Sequence, residues 1–194
     1  MAFYSRLAAA VRAVDPAHIL CFDGNTFGAD FSAFEAVGFN CSNAIYSCHD
    51  YATYVFLVRR DGSMLTCRYG FPGGPIYQGS NEDKMKLRKG FERKTKYSRV
   101  TNSPIWNGEF GIVYPTEETE GPDWQKISSD RYECLREQFR IYRQDSSSWT
   151  IWLYKDIGVQ GMLYVDPQSP WMRVFGTAIA KKVKEALDFW GTDA

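Results

Sequence analysis

Pro104-Ile-Trp-Asn-Gly-Glu-Phe-Gly111 decides how this chain is read. Pro104 to Asn107 is short and mostly apolar, the pattern of a buried strand. It stops at Gly108, and one carboxylate, Glu109, follows in a context of small residues. Taken alone, a glutamate among glycines also describes a surface turn. The segments on either side decide between the two readings.

Upstream, Asn43-Ala-Ile-Tyr-Ser-Cys48 is a second strand, ending in His49-Asp50-Tyr51. Before it, His18-Ile-Leu-Cys-Phe22 is an apolar run broken by Asp23-Gly24-Asn25. Downstream, Trp149-Thr-Ile-Trp-Leu153 ends in Tyr154-Lys155-Asp156. Helical patterns alternate with these runs. Phe3 to Val14 carries Leu7, Val11 and Val14 on one face, and Pro16 ends it. A short helix is expected around Asp30 to Glu35. Ser80 is the N-cap of a charged helix to about Ser98, with Asp83 three residues on. The charge run from Asp83 to Lys96 reads as its solvated face. Ser129 or Asp130 opens a helix to about Arg143, and a last one runs from about Pro170 to Leu187.

Strands that alternate with helices make a parallel sheet, buried on both faces. Here every strand ends in polar, reactive residues. Chemistry at the carboxyl ends of successive parallel strands describes a TIM barrel, which needs about eight βα units and about 250 residues. This chain supplies about four units, so the expected fold is α/β, half of a (β/α)8 barrel. A flavodoxin-like open sheet competes, but its reactive residues gather at one switch point. No glycine-rich phosphate turn follows a strand, so a dinucleotide or P-loop fold is poorly supported.

Composition narrows the function. Lys and Arg total 23 and Asp and Glu total 23, so the formal net charge is zero. That argues against a nucleic-acid or anionic-membrane partner. Cys21, Cys41, Cys48, Cys67 and Cys134 are odd in number, irregularly spaced and without a C-x-x-C pair. They predict neither a disulfide framework nor a zinc site. No apolar run is long enough to span a membrane, and the charges in Met1 to Arg12 do not suit a signal peptide. The compartment stays open, since the start reads as mid-domain. The aromatic fraction of 16% suits a packed core and also a sugar site.

Four motifs in order carry a resemblance. Ile105-Trp-Asn-Gly-Glu-Phe-Gly111 resembles the nucleophile strand of family-five glycoside hydrolases of the cellulase type, and His49-Asp50-Tyr51 resembles their H-x-Y. Ser148-Trp-Thr-Ile-Trp-Leu-Tyr-Lys-Asp156 resembles their final strand, and Asp15-Pro-Ala-His-Ile-Leu-Cys-Phe-Asp-Gly24 their fifth strand with its lead-in. The resemblance implies the C-terminal half of such a barrel, spread over residues 1–194 as one partial domain. It implies a retaining β-glycosidase acting on an oligosaccharide or glycoside, with Glu109 as nucleophile and no metal or organic cofactor. Tyr51 would hydrogen-bond Glu109, and His49 would contact a sugar hydroxyl or the acid. Trp152 would stack on the sugar, and Asn107, Asn25 and Asp23 would line the substrate site. Of the other residues, Trp149 and Trp106 are expected in the core. Lys155 with Asp156 is read as a rim salt bridge, and His18 as structural.

The sequence departs from the family in two places. A retaining mechanism needs a second carboxylic acid about 5 Å from the nucleophile. In the family it lies in an N-E-P motif, and this sequence has none. The chain is therefore expected to be weak or inactive by itself, and the alternative is a non-catalytic sugar-binding or interaction remnant of a longer enzyme. Neither Asp50 nor Asp23 is an expected substitute acid. Residues 55–68 match nothing in the family pattern and are read as an insertion, from a retained intron or a hairpin around Asp61-Gly62. A half barrel also leaves two strand edges open, which predicts self-association.

Overall fold

The computed structural model describes residues 2–51, 77–111, 117, 121–152, 176–177 and 180–181. The insertion at 55–68 and the Lys155–Asp156 pair lie outside the described residues, as does most of the expected last helix.

Four strands form one sheet: β1 (Leu20–Asp23), β2 (Ala44–His49), β3 (Ile105–Glu109) and β4 (Ser148–Trp149). Their spatial order is β1-β2-β3-β4, and each neighbouring pair is parallel. Sequential order with every pair parallel is the arc of a barrel. A doubly wound sheet would reverse its order partway.

The helices are α1 (Ala2–Val14), α2 (Asn25–Gly28), α3 (Ser32–Val37), α4 (Asn81–Thr101) and α5 (Trp124–Gln144). In α4 the Ser80 hydroxyl accepts from the Asp83 amide, and the Asp83 carboxylate accepts from the Ser80 and Gln78 amides. This satisfies donors that a helix start otherwise leaves orphaned. Burial raises the Asp83 pKa, but these hydrogen bonds outweigh it and hold the carboxyl below its ordinary value. The fifth helix starts at Trp124, after a 3-10 turn over Gly121–Asp123, and not at Ser129. β4 is likewise shorter than the expected Trp149–Leu153.

Two aromatic clusters join sheet to helices. Phe22, Phe34, Phe39, Tyr46 and Tyr97 pack between β1, β2, α3 and α4, and Phe31 stacks on Tyr97 at 5.7 Å. Phe110, Phe139, Tyr142 and Trp149 form the second, under β3 and β4. Each such pair adds about 0.5–1.5 kcal/mol beyond burial. Trp149 thus joins the core, as expected. Trp106 does not: it is half-buried beside Ser47, on the sheet face away from these clusters.

Candidate active site

Strand alternation sets the first part of the site. Tyr46 and Cys48 of β2 turn to the helices, so Ser47 and His49 turn to the opposite, barrel-lumen face. Asn107 of β3 and Phe110, just after its end, both turn to the helices, although three positions apart. The register explains it: Cys48 pairs with Asn107 and His49 with Glu109, leaving Gly108 as an extra residue. A bulge of this kind re-aims a side chain beside a site. Here Gly108 and Glu109 both reach the lumen face at the carboxyl rim.

Glycines make room for this arrangement. A Cβ on Gly108 would lie 3.1 Å from Ser47 Oγ and 3.6 Å from His49 Nε2. Gly28 has φ +71°, and a Cβ there would come within 2.8 Å of the His49 amide nitrogen. Only glycine suits both demands. A Cβ on Gly111 would lie 2.5 Å from the Trp152 carbonyl oxygen, so β3 and the segment after β4 touch through backbone.

The Tyr51 hydroxyl donates to Glu109 Oε2 at 2.8 Å. His49 Nδ1 lies 3.6 Å from the same oxygen. The Glu109 side chain keeps 29% of its exposure, enough for a ligand to reach it. Trp152 is bound to the same strand end: its amide donates to the Phe110 carbonyl at 2.8 Å. Thr150 Oγ1 donates to the Gly108 carbonyl at 2.6 Å. The structure therefore brings Glu109, Tyr51 and His49 into contact and holds Trp152 next to them.

Asp23 and Asn25 lie elsewhere on the same rim. Asp23 ends β1, opposite Ser47, and Asn25 opens α2; both are exposed. With strands spaced about 4.8 Å apart, β1 stands roughly 10 Å from β3. Asn107 departs from the expectation. It is fully buried on the helix side of the sheet, where its Oδ1 accepts from the Asp50 amide at 3.1 Å. Its position before the bulge carries it to the sheet face opposite Glu109.

Sequence reading missed what lies behind the site. Asp50 is buried and paired with Lys94 Nζ at 2.7 Å, and its second oxygen accepts from the Tyr142 hydroxyl at 2.8 Å. Burial, and then the Asp50 charge, push the Cys48 thiol up to about 12 and raise the Tyr142 hydroxyl well above its ordinary value. Asp50 therefore faces the helices and cannot serve as a lumen acid. Lys94 belongs to the charge run expected to be solvated, and so does Asp83; both are buried. Their spacing gave a signal, since Leu87, Phe91, Lys94 and Ser98 share one helix face. Of the cysteines, Cys48 and Cys134 are buried, Cys41 is intermediate and Cys21 is exposed, and all four are free thiols. His18 is an exposed residue of the turn between α1 and β1, where its ring meets Asp15. Among the described residues no helix is long and apolar enough to cross a membrane.

The model of the cellulase family, glycosyl hydrolase family 5, matches residues 1–158. A beta-xylosidase of Phanerodontia chrysosporium is 40% identical over all 194 residues, and the chain spans 38% of that protein's length. Among solved structures, an endoglucanase superposes with a TM-score of 0.63 at 19% identity, over 91% of this chain and 52% of that one. The endoglucanase Cel5A of the hyperthermophilic Thermotoga maritima gives 0.61 at 20% identity, over 88% and 50%. The chain spans about half the length of these structures, and its four parallel strands match part of their barrel. By its matched residues and its fold, this chain belongs to the cellulase family, glycosyl hydrolase family 5.

Proposed function

We propose that this chain supplies the nucleophile side of a retaining β-glycosidase, with Glu109 attacking the anomeric carbon. The observation that carries the reading is the pairing of an accessible carboxylate with the Tyr51 hydroxyl at 2.8 Å. The bond holds a carboxylate oxygen in a fixed direction at the strand rim, as an aimed nucleophile requires. Attack from Glu109 breaks the glycosidic bond and leaves a glycosyl ester, which water then hydrolyses. His49 contacts the same region of the sugar, and Trp152 offers a flat face to it. Asp23 and Asn25 meet more distant parts of the substrate along the rim.

A second carboxylic acid must protonate a poor leaving group, and such help is worth about 10²–10⁴-fold. Asp50 is unavailable for it, being buried against Lys94. Natural glycosides are therefore turned over weakly by these residues alone, and sugar binding without turnover is the second reading. Xylosides and glucosides are the substrates to test first, given the beta-xylosidase and endoglucanase relatives. The chain also self-associates through its open side. β1 has β2 as its sole neighbour among the described residues, and Phe3, Val14 and Ile19 are exposed apolar side chains of α1 and of the turn that leads to β1.

Azide rescue tests the nucleophile. Glu109→Ala with a dinitrophenyl β-glycoside and azide should yield the α-glycosyl azide, because azide enters from the face that the carboxylate leaves. A β-azide, or no azide effect while the unaltered chain cleaves the same glycoside, would remove the assignment.

A further inference from the structure

Asp50 stands between His49 and Tyr51 in the chain, yet its side chain points the other way. It is 2% exposed. Lys94 Nζ of α4 donates to its Oδ1 at 2.7 Å, and the Tyr142 hydroxyl of α5 donates to its Oδ2 at 2.8 Å. Its amide donates to the Glu109 carbonyl at 2.9 Å and to Asn107 Oδ1 at 3.1 Å. Its carbonyl accepts from Gln138 Nε2 at 2.9 Å. One residue thus joins β3 to two helices. It also carries, on either side, the two side chains that meet the Glu109 carboxylate.

We propose that Asp50, held by Lys94 and Tyr142, is a positioning residue that fixes where the Tyr51 hydroxyl meets Glu109. The proposal rests on reading Glu109 as the nucleophile. Stability alone explains the cluster poorly. A buried ion pair gains little or nothing over two apolar side chains of similar volume, because both charges lose their water. Directional bonds from three elements, however, define one placement of a backbone segment, which apolar packing does less sharply. These bonds fall on the residue between His49 and Tyr51 and on the backbone of Glu109 itself. A misplacement of about 1 Å at such a site can cost about 10²-fold in rate.

The test replaces the ion pair with an apolar pair, Asp50→Leu with Lys94→Met, in the 194-residue chain. The first readout is carbon-13 NMR of chain labelled at the tyrosine Cζ. Tyr51→Phe identifies the Tyr51 signal, and Glu109→Gln shows where it moves when its acceptor is altered. The double variant should still fold, melting somewhat lower because the buried Tyr142 hydroxyl loses its acceptor, with its Tyr51 signal displaced toward the Glu109→Gln position. A folded double variant with Tyr51 unmoved overturns the proposal. The second readout is inactivation by dinitrophenyl 2-deoxy-2-fluoro-β-glucoside. The rate constant should fall about 10²-fold. The inhibitor's dissociation constant should stay within about twofold, as for loss of an interaction made only in the transition state. An unchanged rate constant also overturns it. If the double variant does not fold, Asp50→Asn takes its place: a displaced Tyr51 signal and a slower inactivation support the proposal, and either one unchanged overturns it. A failure of the unaltered chain to label at Glu109 removes the nucleophile reading instead, and the NMR signal alone then decides whether Asp50 positions Tyr51.

Discussion

The hydroxyl of Tyr51 and the carboxylate of Glu109 come from adjacent parallel strand ends and meet at 2.8 Å. The bond crosses from one strand end to the other because the bulge at Gly108 turns Glu109 toward the lumen face. Without the bulge, Glu109 would follow Asn107 onto the helix side.

Removing the donor should therefore slow chemistry more than binding. Tyr51→Phe should lower the rate of glycosyl-enzyme formation by roughly 10²–10³-fold, the range for loss of one preorganised hydrogen-bond donor. Stopped-flow release of dinitrophenolate reads the rate. Circular dichroism should show the fold unchanged, since the ring keeps its packing.

Gly28→Ala should destabilise the fold. The new Cβ would come within 2.8 Å of the His49 amide nitrogen, in a backbone conformation at φ +71° that alanine adopts at a cost. Together these should cost about 1–3 kcal/mol, seen as a lower urea midpoint. Gly38→Ala is the control. Its φ of +60° carries similar strain, but its Cβ would meet nothing within 4 Å. Gly28→Ala should therefore be the more damaging of the two.

The α4 cap predicts a pH dependence. Asp83 has a folded pKa below its ordinary value of 3.8. Its contribution is thus fully present above that value and is lost as pH falls through the folded pKa. Asp83→Asn should lower the thermal midpoint at pH 6, by the equivalent of about 0.5–2 kcal/mol. The gap from the unaltered chain should shrink toward pH 2.5. A gap that grows on acidification would contradict the assignment.

Much of this was legible in the sequence. The strand order, the Ser80 cap and the placing of His49, Tyr51 and Glu109 at one rim follow from periodicity, capping chemistry and the motifs. The misplaced residues share one cause, in that local pattern does not report long-range pairing. Lys94 sits in a run of charges and looks solvated, but its partner Asp50 lies 44 positions away. Asn107 looks like a site residue because it precedes Gly108 and Glu109, and a bulge cannot be read from composition. The start of α5 lies ahead of Ser129 because the Gly121–Asp123 turn feeds directly into it.

Open edges should be visible in solution. Phe3, Val14 and Ile19 are 70%, 87% and 62% exposed. The unaltered chain should sediment as more than a monomer at micromolar concentration, and Phe3→Lys with Ile19→Lys should shift it toward monomer. Analytical ultracentrifugation showing a dilute, stable monomer for the unaltered chain would count against association through this side.

The most direct measurement is covalent trapping. Incubation with dinitrophenyl 2-deoxy-2-fluoro-β-xyloside or the matching glucoside, followed by peptide mass mapping, locates the carboxylate that attacks. A fluoroglycosyl adduct on Glu109, absent from Glu109→Gln, is the expected result. An adduct on another carboxylate, Asp23 for example, would contradict the account.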